Sequence, residues 1–562
     1  MQDSMIRKYA LQNAVKFKGT ASPGAVIGRI IAEKPQLKAK IKEIARKVNS
    51  VIGEINSLTL EEQISLLKKE APELLKEKKH EERERALPAL KKPGKPVMRF
   101  EPSPSGPLHI GHAYVLSLNS EYCRKYRGKL ILRIGDTNPE NIYAPAYEMI
   151  EEDAGWVTDG NINQVVIQSG RLETYYRYMV QLIGLGKAYV CKCDPERYKQ
   201  LIIKQKACPC RNLPKEEQLE RWKKMFNGYK QGEAVARIKT ELNNKNPAMR
   251  DFPAFRINDS KHTKTGKRYR VWPLMNMAVA VDDIELKVTH VVRAKEHHDN
   301  AIRQRYIYNY LGKDFPEAIF VGRINFEGMP VSCSKTRPLI ENRTYTGWDD
   351  IRLPFLAALR RRGYQPEAFV RYAIDVGISL NDKTVTKEEF FKTIDAFNKD
   401  IIDGRSHRHF FVQDPKEITI GNSPAQDVEL DLHPENRKGG RRFKTGDRFY
   451  VSGDDFNSFT EGKLYRLMDC LNFTMEEGRF IFHSLDYKEY REKGEKIIHW
   501  LPKEKGMAKV EVLMPDNKVV KGFGENGLGG LKEGDVIQFT RFGFCRLDRK
   551  GKNKLVFWYA HD

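Results

Sequence analysis

Residues Met98 to Tyr114 read MRFEPSPSGPLHIGHAY. The opening MRF predicts the end of a buried strand. Pro102, Pro104, Gly106 and Pro107 predict a turn, and His109-Ile110-Gly111-His112 opens a helix that continues through AYVLSLNSEYCRKY. A strand–loop–helix unit aims the helix's free N–H groups and its positive dipole end at one point, which favours phosphate. Gly111 allows a flat base or a ribose close to the backbone. His109 and His112 are three residues apart on the first turn, so they share a face and can donate hydrogen bonds to phosphate oxygens.

The 562 residues are 40% apolar, enough for several cores, and that length predicts roughly three to five domains. Lys and Arg number 98 against 75 Asp and Glu, a net charge of +23 with a pI near 9.4. That balance points to a polyanionic partner. The cations are spread along the whole chain, which disfavours a membrane surface. No apolar run is long enough to span a bilayer, and MQDSMIRKYALQNA holds no signal-peptide core, so a cytoplasmic protein without a membrane partner is expected.

Outward from residues 98–114, KLILRIGDTNPE predicts a second strand and turn. Its apolar run suits a strand buried on both faces, as in a parallel sheet. Upstream, IKEIARKVNSVIGEI and LEEQISLLKKEAPELLKE place apolar residues at helical spacing, and Gly19 and Pro23 break the segment before them. The charge run EKKHEERERALPALKKPGKP reads as a linker.

Downstream lie Cys191-x-Cys193 and Cys208-x-Cys210, 14 residues apart, and these four are half of the chain's eight cysteines. Two such pairs suit a reducing compartment and a closed tetrahedral zinc site, with reduced buried thiols as the alternative. A closed site has no open position for chemistry, so zinc there would staple the fold. Residues 195–262 are polar and Lys-rich. Arg360-Arg361-Arg362 end a predicted helix and suit backbone phosphates. Beyond about residue 410 the pattern turns to short β runs (ITIGNS, RFYVSG, KVEVLMP, VIQFTRFGFCRLDRKG, KLVFWYAHD), which predict a β-barrel, with RKGGRRFKTGDR as a dense basic loop.

PLHIGH after RFEPSPSG resembles the first signature of the class I aminoacyl-tRNA synthetases, in the glutamyl/glutaminyl branch. Val331-Ser332-Cys333-Ser334-Lys335 resembles the second, a flexible loop whose lysine neutralises ATP phosphates. It departs from the usual loop in lacking the first lysine and in carrying Cys333 where methionine is commoner. The all-β C-terminal pattern resembles the archaeal-type glutamyl members. The resemblance implies a multidomain chain. A helical tRNA-binding appendage would cover 1–95, and an α/β Rossmann-like parallel-sheet catalytic domain 96–344 with an inserted zinc-knuckle acceptor-stem domain at about 186–262. A helical stem-contact segment at 345–410 and an all-β barrel anticodon-binding domain at 411–562 would complete it.

It also implies activation of glutamate by ATP with Mg²⁺ and transfer to tRNA-Glu, with tRNA-Gln left open, by a monomer or weak dimer. His109, His112 and Lys335 are the catalytic residues so implied. Pro107, Gly111 and Ser334 join them around ATP, and Arg99, Ser103 and Arg293 surround glutamate. Arg293 follows Thr289-His290-Val291-Val292, where glutamyl enzymes carry arginine and glutaminyl ones typically cysteine. A guanidinium grips a carboxylate bidentately, whereas an amide would leave the charge unpaired. A structural salt bridge to Glu296 or Asp299 is the alternative. One member of His297-His298 would help hold the nucleotide region.

Two positions depart from the family. Gly135 stands where an acidic residue meets the substrate's α-ammonium, and Met275 stands where a tyrosine is usual. Asp136 adjoins Gly135, but adjacent strand residues face opposite ways. A glutaminyl-tRNA synthetase, a non-catalytic tRNA-binding relative and a metabolic nucleotidyltransferase are the alternatives; Arg293 stands against the first, and the intact histidine pair with Lys335 against the second. The basic β region and the chain length stand against the third.

Overall fold

The structure is a computed structural model describing residues 2–16, 19–33, 41–71, 74, 87–92, 94–504 and 506–562. It divides into two units, Met1–Arg85 and Ala86–Asp562. In the first, helices α1 (Gln2–Lys16), α2 (Pro23–Glu33), α3 (Ile41–Asn56) and α4 (Leu60–Glu70) bury a core that includes Leu11, Val48, Ile52, Ile55 and Leu67. Gly19 adopts a φ of 108°, and Pro23 starts α2, where its missing N–H costs nothing. Thr59 and Glu62 close a capping box on α4. That helix stops at Glu70, ahead of Ala71-Pro72, because the residue before a proline is pushed out of helical conformation. The rest of the apolar pattern, residues 72–77, lies outside the described residues apart from Leu74.

Of the predicted linker, residues 77–86 lie outside the described residues. Its later part is strapped to the second unit: Leu87 is buried in the core there, Pro88 O accepts from Tyr122, and the Lys91 and Lys92 amides donate to the Glu317 carboxylate. The structural division therefore falls about ten residues before the expected boundary at 95.

The second unit begins with β1 (Val97–Phe100), which pairs in parallel with β2 (Lys129–Ile134), itself parallel to β3 (Gln164–Ile167). Helices α5 (Ile110–Tyr126), α6 (Ala146–Val157) and α7 (Leu172–Gly184) connect and follow these strands. Five of six β2 residues are buried, as its apolar run requires. Next, β4 (Ala188–Cys191), β5 (Val235–Ile238), β6 (Pro253–Ile257) and β7 (Val271–Pro273) form an antiparallel sheet. It carries α8 (Pro195–Ile203) and α9 (Lys215–Asn227). After α10 (Met275–Glu285), the chain re-enters the parallel layer as β8 (His290–Ala294), α11 (His298–Tyr310) and β9 (Glu317–Val321). The Thr289 amide donates to Val97 O, so β8 abuts β1 and the carboxyl ends of both strands open on one crevice, the usual ligand position in such sheets.

Two predicted loops are regular elements. Ser334 and Lys335 sit on the first turn of α12 (Cys333–Glu341), not on a loop. RKGGRRFKT forms the strand Arg437–Thr445, paired antiparallel with Gln426–His433. Its side chains alternate: Arg441, Phe443 and Thr445 are buried while Arg442 and Lys444 are exposed, and positive φ at Gly439 and Gly440 accommodates the register shift opposite Asp431 and His433.

The remaining C-terminal strands form two seven-stranded sheets, and the short helices Gly453–Asn457 and Tyr487–Lys493 mean the region is not purely β. The three arginines at 360–362 are not a phosphate-facing row. Arg361 pairs with Asp548 and Asp349 and covers the Trp558 ring, and Arg362 is buried, donating to Tyr559 O and Ala560 O. Arg360 and Arg361 both stay partly exposed, Arg360 3.4 Å from Glu152.

Candidate active site

His109 is the N-cap of α5, and its Nδ1 accepts the Gly111 amide at 3.1 Å. The His109 amide in turn donates to His112 Nδ1 at 3.4 Å, a capping box built from two histidines whose rings stack 3.9 Å apart. With both Nδ1 atoms accepting, each neutral ring carries its proton on Nε2, as a donor. Burial, with His112 adding its charge, pushes the His109 pKa well below its ordinary value, and burial takes His112 down to about 4. The pair is therefore neutral near pH 7 and offers two Nε2–H donors rather than two cations. A Cβ at Gly111 would stand 3.0 Å from the His109 ring, so glycine is what lets this cap close.

The turn before the helix is braced from three sides. The Leu108 amide donates to buried Asp153, the Ile110 amide to Pro354 O, and the Leu356 amide to Leu108 O. A Cβ at Gly106 would come within 2.8 Å of Cys333, so that glycine seats α12 against the turn, with the Cys333 thiol 3.5 Å from Pro107 O. Lys335 is exposed and outside the cleft lining, and its ammonium makes no ion pair among the described residues.

A cleft of about 930 Å³ opens over the carboxyl ends of β1, β2 and β8. Arg99, Ser103, His109, Gly111, His112 and Arg293 all line it, as do Gly135 and Met275. Pro107 and Ser334 do not, although Ser332 does and stands 3.2 Å from Ser334 Oγ. His297 also lines the cleft, bonded to Asn300, while His298 turns away to Phe320.

Of the four arginines that line the cleft, Arg99 and Arg293 are more than nine-tenths buried, and both are incompletely partnered. Arg293 donates through Nη1 to Gln304 at 3.0 Å, and its Nε has no partner. It makes no ion pair with Glu296 or Asp299 among the described residues; Asp299 instead accepts from Asn246. Burial, reinforced by the Arg99 charge, pulls the Arg293 pKa down to about 10, which leaves it protonated near neutrality. Arg99 donates to Asp283 at 3.3 Å, and its Nη2 is unpartnered. Buried donors left unmade cost about 1–3 kcal/mol each, so the site is built for an acceptor that the chain does not supply.

Sequence reasoning missed what holds these arginines. Asp283, on α10, accepts from Arg99 and, at 2.7 Å, from Arg133. Burial opposes its charge, yet Arg133 and Arg99 keep its carboxyl below the ordinary range. Arg133 reaches on to Glu101 at 2.6 Å. The available signal was two adjacent carboxylates in the otherwise apolar MNMAVAVDDIE. Asp136 is locked elsewhere: it accepts from Tyr147, from the Ser169 amide and hydroxyl, and lies 3.5 Å from His262.

The four Sγ atoms of Cys191, Cys193, Cys208 and Cys210 lie within 4.8 Å of one another. Cys191 and Cys208 are 3.8 Å apart and Cys193 and Cys210 3.9 Å. A zinc–thiolate tetrahedron with bonds of about 2.3 Å has edges of about 3.8 Å, so the set fits Zn²⁺. All eight cysteines are free of disulfides.

Residues 95–403 match the family model for the catalytic domain of tRNA synthetases class I (E and Q), and 406–483 and 497–548 match the two anti-codon binding domain models of that family. The chain belongs to the class I tRNA synthetases of the glutamate and glutamine branch. A glutamate–tRNA ligase of Pyrococcus furiosus is 43% identical over 100% of this chain and 99% of its own length. That of Methanocaldococcus jannaschii is 42% identical over the whole of both chains, and that of Thermococcus kodakarensis is 44% identical over 99% of each. Within this synthetase family, the parallel-sheet crevice with its double-histidine cap is the catalytic end of the chain, and the C-terminal strands are its anticodon-binding end. No helix among the described residues is long and apolar enough to cross a membrane.

Proposed function

We propose that the cleft activates glutamate and that the chain is an archaeal-type glutamate–tRNA ligase. The carrying observation is the pair of buried, half-partnered arginines, Arg99 and Arg293, facing one crevice. A planar carboxylate satisfies such donors; the amide of glutamine would bring its own N–H groups against them. Relatives named for glutamate, covering the full chain at 42–44% identity, support the same reading.

Glutamate's α-carboxylate oxygen attacks the α-phosphorus of ATP, pyrophosphate leaves, and the mixed anhydride then acylates a ribose hydroxyl at the 3′ end of tRNA, releasing AMP. Chemistry of this kind needs positioning and charge neutralisation more than a covalent nucleophile. His109 and His112 donate Nε2–H bonds to phosphate oxygens at the positive end of the α5 dipole, where the amides of His109, Ile110 and Gly111 are already taken up within the chain. Mg²⁺ bound with ATP would supply further neutralisation of the pyrophosphate charge. Lys335 is placed to approach the phosphates when α12 shifts against Gly106, and Ser334 and Pro107 border that path. Zn²⁺ held by the four cysteines would staple the end of β4 to the segment after α8, within the acceptor-stem insertion, without taking part in the chemistry.

In this reading tRNA-Glu is the nucleic-acid partner, residues 1–95 assist its binding, 345–410 touch its stem, and the β region from 411 holds its anticodon as a barrel. The protein works in the cytoplasm. The test is ATP–pyrophosphate exchange with glutamate and with glutamine, each with and without tRNA. Exchange with glutamate alone, dependent on tRNA, supports the reading. Exchange with glutamine moves the assignment to the sister synthetase, and exchange with neither makes the chain a tRNA-binding relative.

A further inference from the structure

An amino acid gripped by its side chain at Arg99 and Arg293 still presents an α-ammonium, and that cation needs acceptors. Gly135, where an acidic side chain was expected, offers none. Asp136 is fully engaged by Tyr147, Ser169 and His262, on the other side of the strand. Met275 brings no acceptor either.

Two other oxygens converge on the vacant place. A Cβ built on Gly135 would lie 3.5 Å from Gln168 Oε1 and 3.7 Å from Glu101 Oε1. Both residues line the same cleft. Glu101 follows β1 directly, next to Arg133 across the β1–β2 pair, and its side chain is only 13% exposed. Its Oε2 accepts from fully buried Arg133 at 2.6 Å, which fixes the carboxylate plane, while Oε1 has no donor among the described residues. Gln168 is oriented from behind: its Nε2 donates to Asp282 at 2.9 Å, which turns Oε1 toward the cleft, and this oxygen too has no donor.

We infer that Glu101 and Gln168 form the ammonium subsite of the amino-acid pocket, with Glu101 supplying the negative charge that position 135 lacks. The inference rests on the cleft being the amino-acid site. Charge agrees with it. In the linked network Arg99, Arg133 and Arg171, with Arg293 beside them, carry four positive charges against the three of Asp282, Asp283 and Glu101. One positive charge is left for the substrate's side-chain carboxylate, and the ammonium sits against a fixed anion. Glu101 thereby becomes a substrate-contacting residue, and Arg133 a positioning residue that acts through it. The arrangement also explains why position 135 is free to be glycine: a carboxylate added there would stand beside Glu101, and two like charges that close repel.

The full chain with Glu101→Gln tests this, because glutamine keeps an acceptor for Arg133 and removes only the charge. In tRNA-dependent ATP–pyrophosphate exchange, the KM for glutamate rises about 10- to 100-fold, the loss expected for one charge-assisted hydrogen bond, while the KM for ATP holds. Glutarate has both carboxylates and no ammonium. As a competitive inhibitor it keeps its inhibition constant in the variant. In Glu101→Ala, adding Gly135→Glu recovers most of the lost glutamate affinity.

A glutamate KM within about twofold of the unmodified chain overturns the inference. So does a glutarate constant that rises in step with the KM, which would make Glu101 only a prop for Arg133. A double variant no better than Glu101→Ala counts against it as well. If glutarate fails to compete even in the unmodified protein, the placement of the amino acid in this cleft falls, and the inference with it.

Discussion

The chain buries arginine–carboxylate clusters at both ends, and they are finished differently. In the C-terminal region Asp455 accepts from both terminal nitrogens of Arg541, from Lys496 and from Ser452, and Arg541 also meets His499. None of these five residues leaves a buried polar atom unpartnered. In the cleft, Arg99 and Arg293 each keep a buried nitrogen with no partner, and Glu101, held from beneath by Arg133, keeps an oxygen with no donor among the described residues. The closed cluster is complete within the chain. The open one is complete only with a ligand, and that contrast separates a structural ion network from a binding site more sharply than burial or charge alone.

The contrast predicts opposite failures. Arg293→Ala lowers kcat/KM for glutamate by roughly 10²- to 10⁴-fold in pyrophosphate exchange and leaves the thermal midpoint nearly unchanged, because a half-used donor contributes little to the fold. Asp455→Asn does the reverse. Weakening the closed cluster costs about 1–3 kcal/mol in urea unfolding, because Arg541 and Lys496 are about a third exposed and stay partly solvated, with the glutamate KM of the folded protein unmoved. Burial opposes the Asp455 charge, but Arg541, Lys496 and Ser452 hold its carboxyl far below the ordinary value. Its folded pKa is thus depressed. The stability it contributes is present above the unfolded carboxyl pKa near 4 and is lost as pH falls below that. The acid limb of unfolding should shift in Asp455→Asn and stay in place in Arg293→Ala.

The cysteine set lies between these extremes, complete in ligands but needing its ion. Cys208→Ser, or prolonged chelation, should release about one zinc per chain and speed amide exchange over residues 186–262, with a smaller loss of aminoacylation. Metal analysis and hydrogen exchange check this; undiminished protection without zinc would make the four thiols a packing cluster.

The smallest effect expected is at the histidine cap. Burial keeps His112 neutral down to about pH 4 and pushes His109 well below its ordinary value, so neither imposes an acid limb on kcat/KM near pH 6.5. As pH falls from 6.5 toward 4, the unfolded chain takes up protons these folded rings refuse, so their contribution to stability declines over that window. A limb near pH 6.5 that disappears in His112→Gln would contradict the neutral-donor account.

Much of this site was legible in the sequence because its parts sit on local patterns. The strand–turn–helix of residues 98–114, the strand ending at Arg293 and the two cysteine pairs are each read within a few residues. What was not legible lies across the fold. Arg99, Glu101, Arg133 and Asp283 meet only because β1 and β2 pair and α10 packs beneath them. The arginines of 360–362 read as a phosphate surface because nothing local reveals the strand Leu555–His561 that covers them. The basic run at 437–445 read as a loop because its charge masked the period-two burial of Arg441, Phe443 and Thr445.

The central claim is that the open arginines choose a carboxylate. The most direct measurement is the ratio of kcat/KM for glutamate over glutamine, in the unmodified chain and in Arg293→Gln. The account predicts a ratio of at least about 10³ that collapses toward unity in the variant, since an unpaired buried charge is what penalises the amide. A ratio unchanged by Arg293→Gln, or a preference for glutamine in the unmodified chain, would contradict it.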